Sequence, residues 1–273
     1  MKAIFNSRVI DTSKPQFHTN NRAFCYGDGL FETIVTGKTR IDLTVQHLDR
    51  LKRGCEVMGL AFPKDLNAEF LRKSISQLSI ENNLEGDIRT KLILWRGEGG
   101  LYAPETTDTN YLIECKAAQK PFIRITNTIG ISDIYQTHYS PISFAKTTNA
   151  LIYVLAGKEM KAKAWDEIIL TDVHHNISET HIGNLFWIKS GVIYTPPIST
   201  GCIGGIMRNA FIKATKSIGI KIKENLIQID ELKKADALFS TNASGITIYE
   251  SFMDIELMNC QQILEPIIRQ LQP

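Results

Sequence analysis

Three groups of residues in this 273-residue sequence are placed to do chemistry. Lys146 stands between the apolar run Ile142–Ala145 and a predicted helix start near Asn149. Desolvation there favours the neutral amine, a nucleophile toward carbonyl carbon, although a solvated surface lysine is the plainer alternative. The loop Thr200-Gly201-Cys202-Ile203-Gly204-Gly205 runs straight into a predicted helix that begins Ile206-Met207-Arg208. Its glycines permit close backbone approach, and free N–H groups at a helix start suit an anion such as phosphate; a simple turn is the alternative. Asp172, His174, His175, Glu179 and His181 crowd one hairpin, with His175, Glu179 and His181 sharing strand parity. H-H-x-x-x-E-x-H is no established ligand pattern, so no metal is expected there.

Two other glycine-rich spots invite a nucleotide reading and fail it. After Gly27-Asp28-Gly29, Glu32 stands where G-x-G-x-x-G needs its third glycine, and after Gly97-Glu98-Gly99 Tyr102 does. No G-x-x-x-x-G-K-[ST] occurs, which excludes a P-loop as well.

The elements that position these residues follow from periodicity. Strands are predicted at Ala3–Phe5, Phe31–Val35 and Thr39–Leu43, the last two joined by a Thr36-Gly37-Lys38 turn. Thr44 is the predicted cap of a helix whose Val45, Leu48, Leu51, Cys55 and Met58 recur at helical steps until Gly59. Asn67 caps a second helix, with Phe70, Leu71, Ser74, Ile75 and Leu78 on one face. Further strands are expected at Arg89–Trp95, Asn110–Cys115, Ile123–Ile131, Glu167–Thr171, Ile177–Thr180, Leu185–Lys189, Val192–Tyr194 and Lys221–Ile229. Short strands flank Thr241–Gly245, and helices are expected over about 149–164, 205–217 and 260–271. The polar, proline-ended stretch 116–121 reads as a linker between domains at 1–115 and 122–273. Clustered strands with separate helices predict an α+β architecture, not a βαβ repeat.

Composition narrows the class. Hydrophobic and charged contents of 43% and 22% are those of a soluble globular protein. The 31 basic and 29 acidic residues form no basic block, so neither nucleic acid nor an anionic membrane is an expected partner. The N-terminus lacks the apolar core of a signal peptide, and the longest apolar run, Ala150–Ala156, is too short to span a bilayer. Five scattered cysteines without C-x-x-C, Cys25 and Cys202 among them, read as reduced thiols of a cytoplasmic protein.

The segments Glu179-x4-Asn184-Leu185-Phe186, Ile193-x-Thr195 and Ile203-x-Gly205-Ile206-x-Arg208 resemble the signature of class-IV aminotransferases, the fold-type IV pyridoxal-5′-phosphate (PLP) enzymes. The likeness extends to Phe144-Ala145-Lys146-Thr147-Thr148-Asn149, Tyr26-Gly27-Asp28-Gly29-Leu30-Phe31-Glu32-Thr33 and His47-Leu48-Asp49-Arg50-Leu51. This resemblance implies a two-domain fold, a homodimer, and Lys146 as the lysine that holds PLP as a Schiff base and shuttles protons. It implies Glu179 as partner of the pyridine nitrogen, and Arg50, Ile206, Met207, Thr241 and Asn242 as phosphate ligands. The chain is one residue shorter than usual just after Thr241-Asn242. Tyr26, Phe31, Thr33, Arg96 and Tyr102 become substrate-side candidates. His181 departs from the signature, which has a small residue there; an imidazole would narrow the site or add a titratable group.

Reaction type depends on how carboxylates are captured. The resemblance includes aminotransferases for D-amino and branched-chain acids, and 4-amino-4-deoxychorismate lyase. The arginine and histidine that D-amino-acid enzymes carry after Arg-Gly are missing from Glu98–Ala103, and Val35 stands where branched-chain enzymes carry arginine. Arg96-Gly97-x-Gly99-Gly100-x-Tyr102, Lys146-Thr147-x-Asn149, Gly205-Ile206-Met207-Arg208 and Thr241-Asn242 resemble the lyase, so the lyase is the expected activity. A PLP-binding relative without turnover is the third reading, disfavoured by the joint presence of Lys146, Glu179 and Arg50.

Overall fold

The structure is a computed structural model that describes residues 1–14 and 18–272. The chain divides into two compact units, Met1–Gln119 with Ala145–Asn149, and Lys120–Phe144 with Ala150–Pro273. The short stretch 145–149 thus leaves the contiguous division expected from the 116–121 linker.

The first unit contains β1 (Lys2–Phe5), β2 (Arg8–Asp11), α1 (Arg22–Tyr26), β3 (Gly29–Thr36), α2 (Thr44–Met58), α3 (Ala68–Glu81), β4 (Ile88–Arg96) and β5 (Thr109–Ala117). Its sheet has the order β2-β1-β5-β4-β3, every pairing antiparallel. Leu71 and Leu78 of α3 and Leu92, Leu94 and Ile113 of the sheet are fully buried, the alternation expected of a sheet with helices on its core face. α2 buries Thr44, His47, Leu48, Arg50, Leu51, Gly54 and Cys55, while Val45, expected on that face, is exposed. Gly59 ends α2 in the left-handed conformation, as its sequence position predicts.

Two expectations fail here. Residues 39–43 form no strand, and the oxygen at the start of α2 comes from Asp42, whose carboxylate accepts the Thr44 N–H at 2.8 Å. The segment is spent on bringing Asp42 to the helix entrance, a local side-chain–backbone bond that competes with strand pairing. α1 and β2, too short for a periodic signal, were not foreseen.

The second unit contains β6 (Ile123–Thr137), α4 (Leu151–Ala162), β7 (Glu167–Asp172), β8 (Ile177–Thr180), β9 (Asn184–Lys189), β10 (Val192–Thr195), α5 (Ile206–Ser217), β11 (Ile222–Glu224), α6 (Ile229–Leu232), β12 (Ala237–Asn242), β13 (Gly245–Phe252), β14 (Ile255–Glu256) and α7 (Gln261–Leu271). Its sheet runs β11-β10-β9-β12-β13-β6-β7-β8, with β14 on β13. The pairs β6–β13, β6–β7 and β10–β11 are parallel, so the sheet is mixed. β7 and β8 are buried at every position, without alternation, because the sheet is covered on both faces. Phe186 stacks on Phe239 at 5.0 Å and meets Phe211 of α5 at 4.9 Å, which seats α5 on the sheet. Ser190 and Gly191 both have positive φ and form the expected tight turn between β9 and β10.

The strand expected over Lys221–Ile229 is a correction: β11 holds three residues and Ile229 opens α6. Its parallel partner β10 ends at Thr195, opposite Glu224, so the ladder has nowhere to continue.

Candidate active site

In the first unit, Lys146 lies on a segment strapped to β3. The Phe31 N–H donates to the Lys146 carbonyl at 2.8 Å, the Thr148 N–H to Gly29 at 2.9 Å, and Leu30 bridges Thr147. Side chains at the two glycines of Gly27-Asp28-Gly29 would block this strap. A Cβ on Gly27 would lie 3.0 Å from the Asn149 Cβ, and one on Gly29 2.8 Å from the Leu94 carbonyl and 3.3 Å from the Thr148 hydroxyl. The failed nucleotide motif therefore has a structural purpose: its glycines admit the lysine segment. The Lys146 amine nitrogen sits 5.0 Å from the centre of the Phe31 ring.

A second lysine meets the same ring. Lys91 Nζ lies 5.6 Å from it, carried by β4, where Lys91 pairs with Thr33 of β3. Lys91 was missed by sequence reasoning; only the β3–β4 register reveals it, because no local motif surrounds it.

Arg50 is buried with Glu32 and His47. Its Nε donates to Glu32 Oε1 at 2.8 Å, a second guanidinium nitrogen donates to Oε2, and His47 Nδ1 shares a 2.7 Å hydrogen bond with Oε2. Burial pushes the Glu32 carboxyl up, but the Arg50 charge and the hydrogen bonds from His47 and Arg50 outweigh it and hold the group below the usual range.

Arg96 is buried and hydrogen-bonded within its own unit. Its Nε donates to Asp28 at 2.9 Å, and its other nitrogens reach the carbonyls of Met58, Gly59 and Thr106 at 2.7, 3.2 and 3.0 Å, closing the C-terminus of α2. Arg22 reaches the same Asp28 and the carbonyls of Gly99, Gly100 and Leu101. The Arg96-Gly97-x-Gly99-Gly100 run is thus a loop anchor. Tyr26 and Tyr102 pack ring to ring at 5.7 Å, with Tyr102 91% exposed.

In the second unit, Glu179 on β8 is buried and its carboxylate is held from both sides. The Tyr153 hydroxyl donates to Oε1 at 2.8 Å, while Asn184 Nδ2 and the Ile203 N–H donate to Oε2 at 3.3 and 3.1 Å. Burial, then the adjacent Glu179 charge, pushes the Tyr153 phenol far above its ordinary value, so it stays a donor. Asn184 also donates to the Ile203 carbonyl at 2.7 Å, and a side chain on Gly205 would collide with its amide oxygen. That ties the glycine loop to Glu179.

Gly205 is the N-cap of α5 and offers no side-chain oxygen, leaving the Ile206 and Met207 end without a capping side chain. The Thr241 hydroxyl is fully buried and has no hydrogen-bond partner among the described residues. Asn242 is occupied in its own turn, accepting from the Ser244 N–H at 2.9 Å and donating to the Ile182 carbonyl at 3.3 Å. His181 pairs through Nδ1 with the buried carboxylate of Glu167. Asp172 accepts the N–H groups of His174 and Asn176 at 2.9 and 2.8 Å, which makes that part of the hairpin an Asx turn.

Group by group, these residues fit a phosphorylated pyridine aldehyde: an amine against an aromatic ring, a buried carboxylate for a ring nitrogen, and an uncapped helix start with an orphaned hydroxyl for a phosphate. The sequence matches the family described as "Amino-transferase class IV" over residues 29–251. A putative branched-chain-amino-acid aminotransferase of Methanocaldococcus jannaschii is 26% identical over 270 residues, 97% of this chain and 92% of that protein. Among solved structures, the branched-chain aminotransferase of Thermoproteus uzoniensis superimposes with a TM-score of 0.88 at 24% identity, covering 98% of this chain and 94% of that one. A putative 4-amino-4-deoxychorismate lyase of Legionella pneumophila gives 0.83 at 23% identity, covering 94% and 95%. With the match spanning most of the chain, the protein belongs to the class IV aminotransferases and is a PLP-dependent enzyme of the α+β, fold-type IV kind.

Proposed function

We propose that the protein is a lyase that releases pyruvate from 4-amino-4-deoxychorismate and leaves 4-aminobenzoate. The observation that supports this reading is the pair of lysine amines, Lys146 at 5.0 Å and Lys91 at 5.6 Å, on the one Phe31 ring. Lys91 would offer a positive charge to the acidic groups of an amino substrate bound beside Lys146. This substrate carries two carboxylates where a branched-chain amino acid carries one. Val35, where an arginine would mark the branched-chain enzymes, is a buried apolar position.

In this reading Lys146 binds the cofactor covalently, and bound PLP supplies an electron sink for the substrate carbon that loses its proton. Lys146 Nζ would take that proton and return one to the departing three-carbon fragment. Glu179 keeps a proton on the ring nitrogen. The N–H groups of Ile206 and Met207 and the Thr241 hydroxyl bind phosphate, joined by Asn242 and by Arg50, whose guanidinium plane Glu32 fixes. Phe31 and Thr33 line the substrate side with Lys91, and Tyr26 and Tyr102 complete it.

The second reading, an aminotransferase for branched-chain or D-amino acids, is favoured by relatives at 25–26% identity that carry those names. Separate incubations with 4-amino-4-deoxychorismate, L-leucine plus 2-oxoglutarate, and D-alanine plus 2-oxoglutarate decide. Formation of 4-aminobenzoate and pyruvate is the expected result; turnover of leucine alone would overturn the lyase reading. Lys91→Ala is expected to lower kcat/KM for the dianionic substrate about 10–100-fold, the worth of one hydrogen bond to a charged group, chiefly through KM. An unchanged KM would remove Lys91 from the site.

The enzyme is further proposed to be a cytoplasmic homodimer. Phe24, Leu101 and Tyr102 are 87%, 72% and 91% exposed, large apolar side chains of the kind a second copy covers. All five cysteines are unpaired, and among the described residues no helix is long and apolar enough to cross a membrane. Sedimentation equilibrium is expected to give twice the 30.7 kDa chain mass; a single-chain mass refutes the dimer.

A further inference from the structure

From the geometry around Glu179 we infer that Tyr153 is a positioning residue of this enzyme, holding the Glu179 carboxylate in the plane and charge state in which it meets the cofactor's ring nitrogen. The inference rests on the PLP role proposed for Glu179 and goes one step beyond it.

Tyr153 lies on α4, which packs against β6 and β7 through Ala156, Ile168 and Leu170, with the Tyr153 ring against the same cluster. Its hydroxyl donates to Glu179 Oε1 at 2.8 Å, the side of the carboxylate that Asn184 and Ile203 do not reach. The helix is held in register with β8 at a second point. Gly157, one turn beyond Tyr153, faces His181, two residues beyond Glu179; a Cβ on Gly157 would lie 3.3 Å from His181 Cδ2 and 3.6 Å from Nε2. Four helical residues rise about 6 Å and two strand residues about 6.7 Å, so the two pairs run abreast. His181 is itself pinned by the buried Glu167 carboxylate. The imidazole that departs from the family signature therefore packs where α4 has glycine, one helical turn from the Tyr153–Glu179 bond.

The chemistry of that bond is one-directional. The buried phenol remains protonated beside the carboxylate, so it only donates, which favours the ionised form of Glu179. Without it, Oε1 loses the hydrogen bond that Tyr153 donates, and the carboxylate is less firmly held against turning about its bond to the side chain. The ring nitrogen then loses a fixed counter-charge although Glu179 is still present.

Tyr153→Phe tests this, since it removes one oxygen and leaves the ring packing intact. The purified variant is expected to melt within a few degrees of wild type. It should bind PLP about 10–100-fold more weakly, the range for a hydrogen bond to a charged group. The absorption band of its bound cofactor should shift, and kcat should fall while KM changes little. In a double-mutant cycle with Glu179→Gln, Tyr153→Phe should add little further loss of PLP affinity, because both act through one contact. Wild-type PLP affinity and spectrum in Tyr153→Phe, or an undiminished effect in the Glu179→Gln background, overturns the inference. Failure of the wild-type protein itself to take up PLP would instead sink the role proposed for Glu179.

Discussion

Replacing Lys146 with alanine is expected to leave a folded protein that no longer holds PLP covalently and has lost at least about 10⁴-fold in turnover. The fold survives because the strap that carries residue 146 is made by backbone. The Phe31 N–H and the Thr148 N–H keep their carbonyl partners whatever the side chain is, and Gly27 and Gly29 keep the room. Chemistry does not survive, because the same nitrogen is asked to anchor the cofactor and to carry the proton between substrate atoms. A small primary amine such as methylamine should restore part of the rate by supplying a free base at the vacated place. Near-wild-type turnover in Lys146→Ala would assign both tasks to another residue.

Glu179→Gln carries the second-largest expected loss, about 10²–10³-fold in kcat, because it removes one preorganised charge from the reacting ring. It also costs stability. Tyr153, Asn184 and Ile203 all present donors to the carboxylate, so one face of a carboxamide must set its NH₂ against a donor. A buried donor left unmatched costs about 1–3 kcal/mol, which urea unfolding would resolve. A variant with normal kcat would place the ring nitrogen elsewhere. A variant with normal stability would mean that the three donors do not converge on this group in solution.

Much of this arrangement was legible in the sequence because it is local. Asn67 caps α3 with its own side chain, Gly59 ends α2, Ser190-Gly191 turns β9 into β10, and Gly205 opens α5. Each depends on φ preference or on a bond spanning two or three residues. The roles of Lys146 and Glu179 came by resemblance, and the bonds that hold their segments emerged only with the fold. Gly27 and Gly29 had been set aside as a broken nucleotide motif, yet both make room for residues more than 100 positions later in the chain.

What the sequence hid depends on register between distant elements. Lys91 joins Phe31 only through the β3–β4 ladder, and Tyr153 meets Glu179 only through the seating of α4 on the sheet. Arg96, a substrate-side candidate by resemblance, also shows its partners only in the fold, where Asp28 and the open carbonyls of α2 accept its hydrogen bonds. His181 likewise invited a titrating role in the site, whereas a carboxylate on the neighbouring strand takes its Nδ1.

The central claim is covalent, and borohydride reduction of the protein as purified with PLP tests it most directly. After reduction and digestion, mass spectrometry is predicted to find the phosphopyridoxyl group on the peptide that contains Lys146, with the visible band of the yellow protein gone. The label on Lys91 or any other lysine, or on none, would contradict the account.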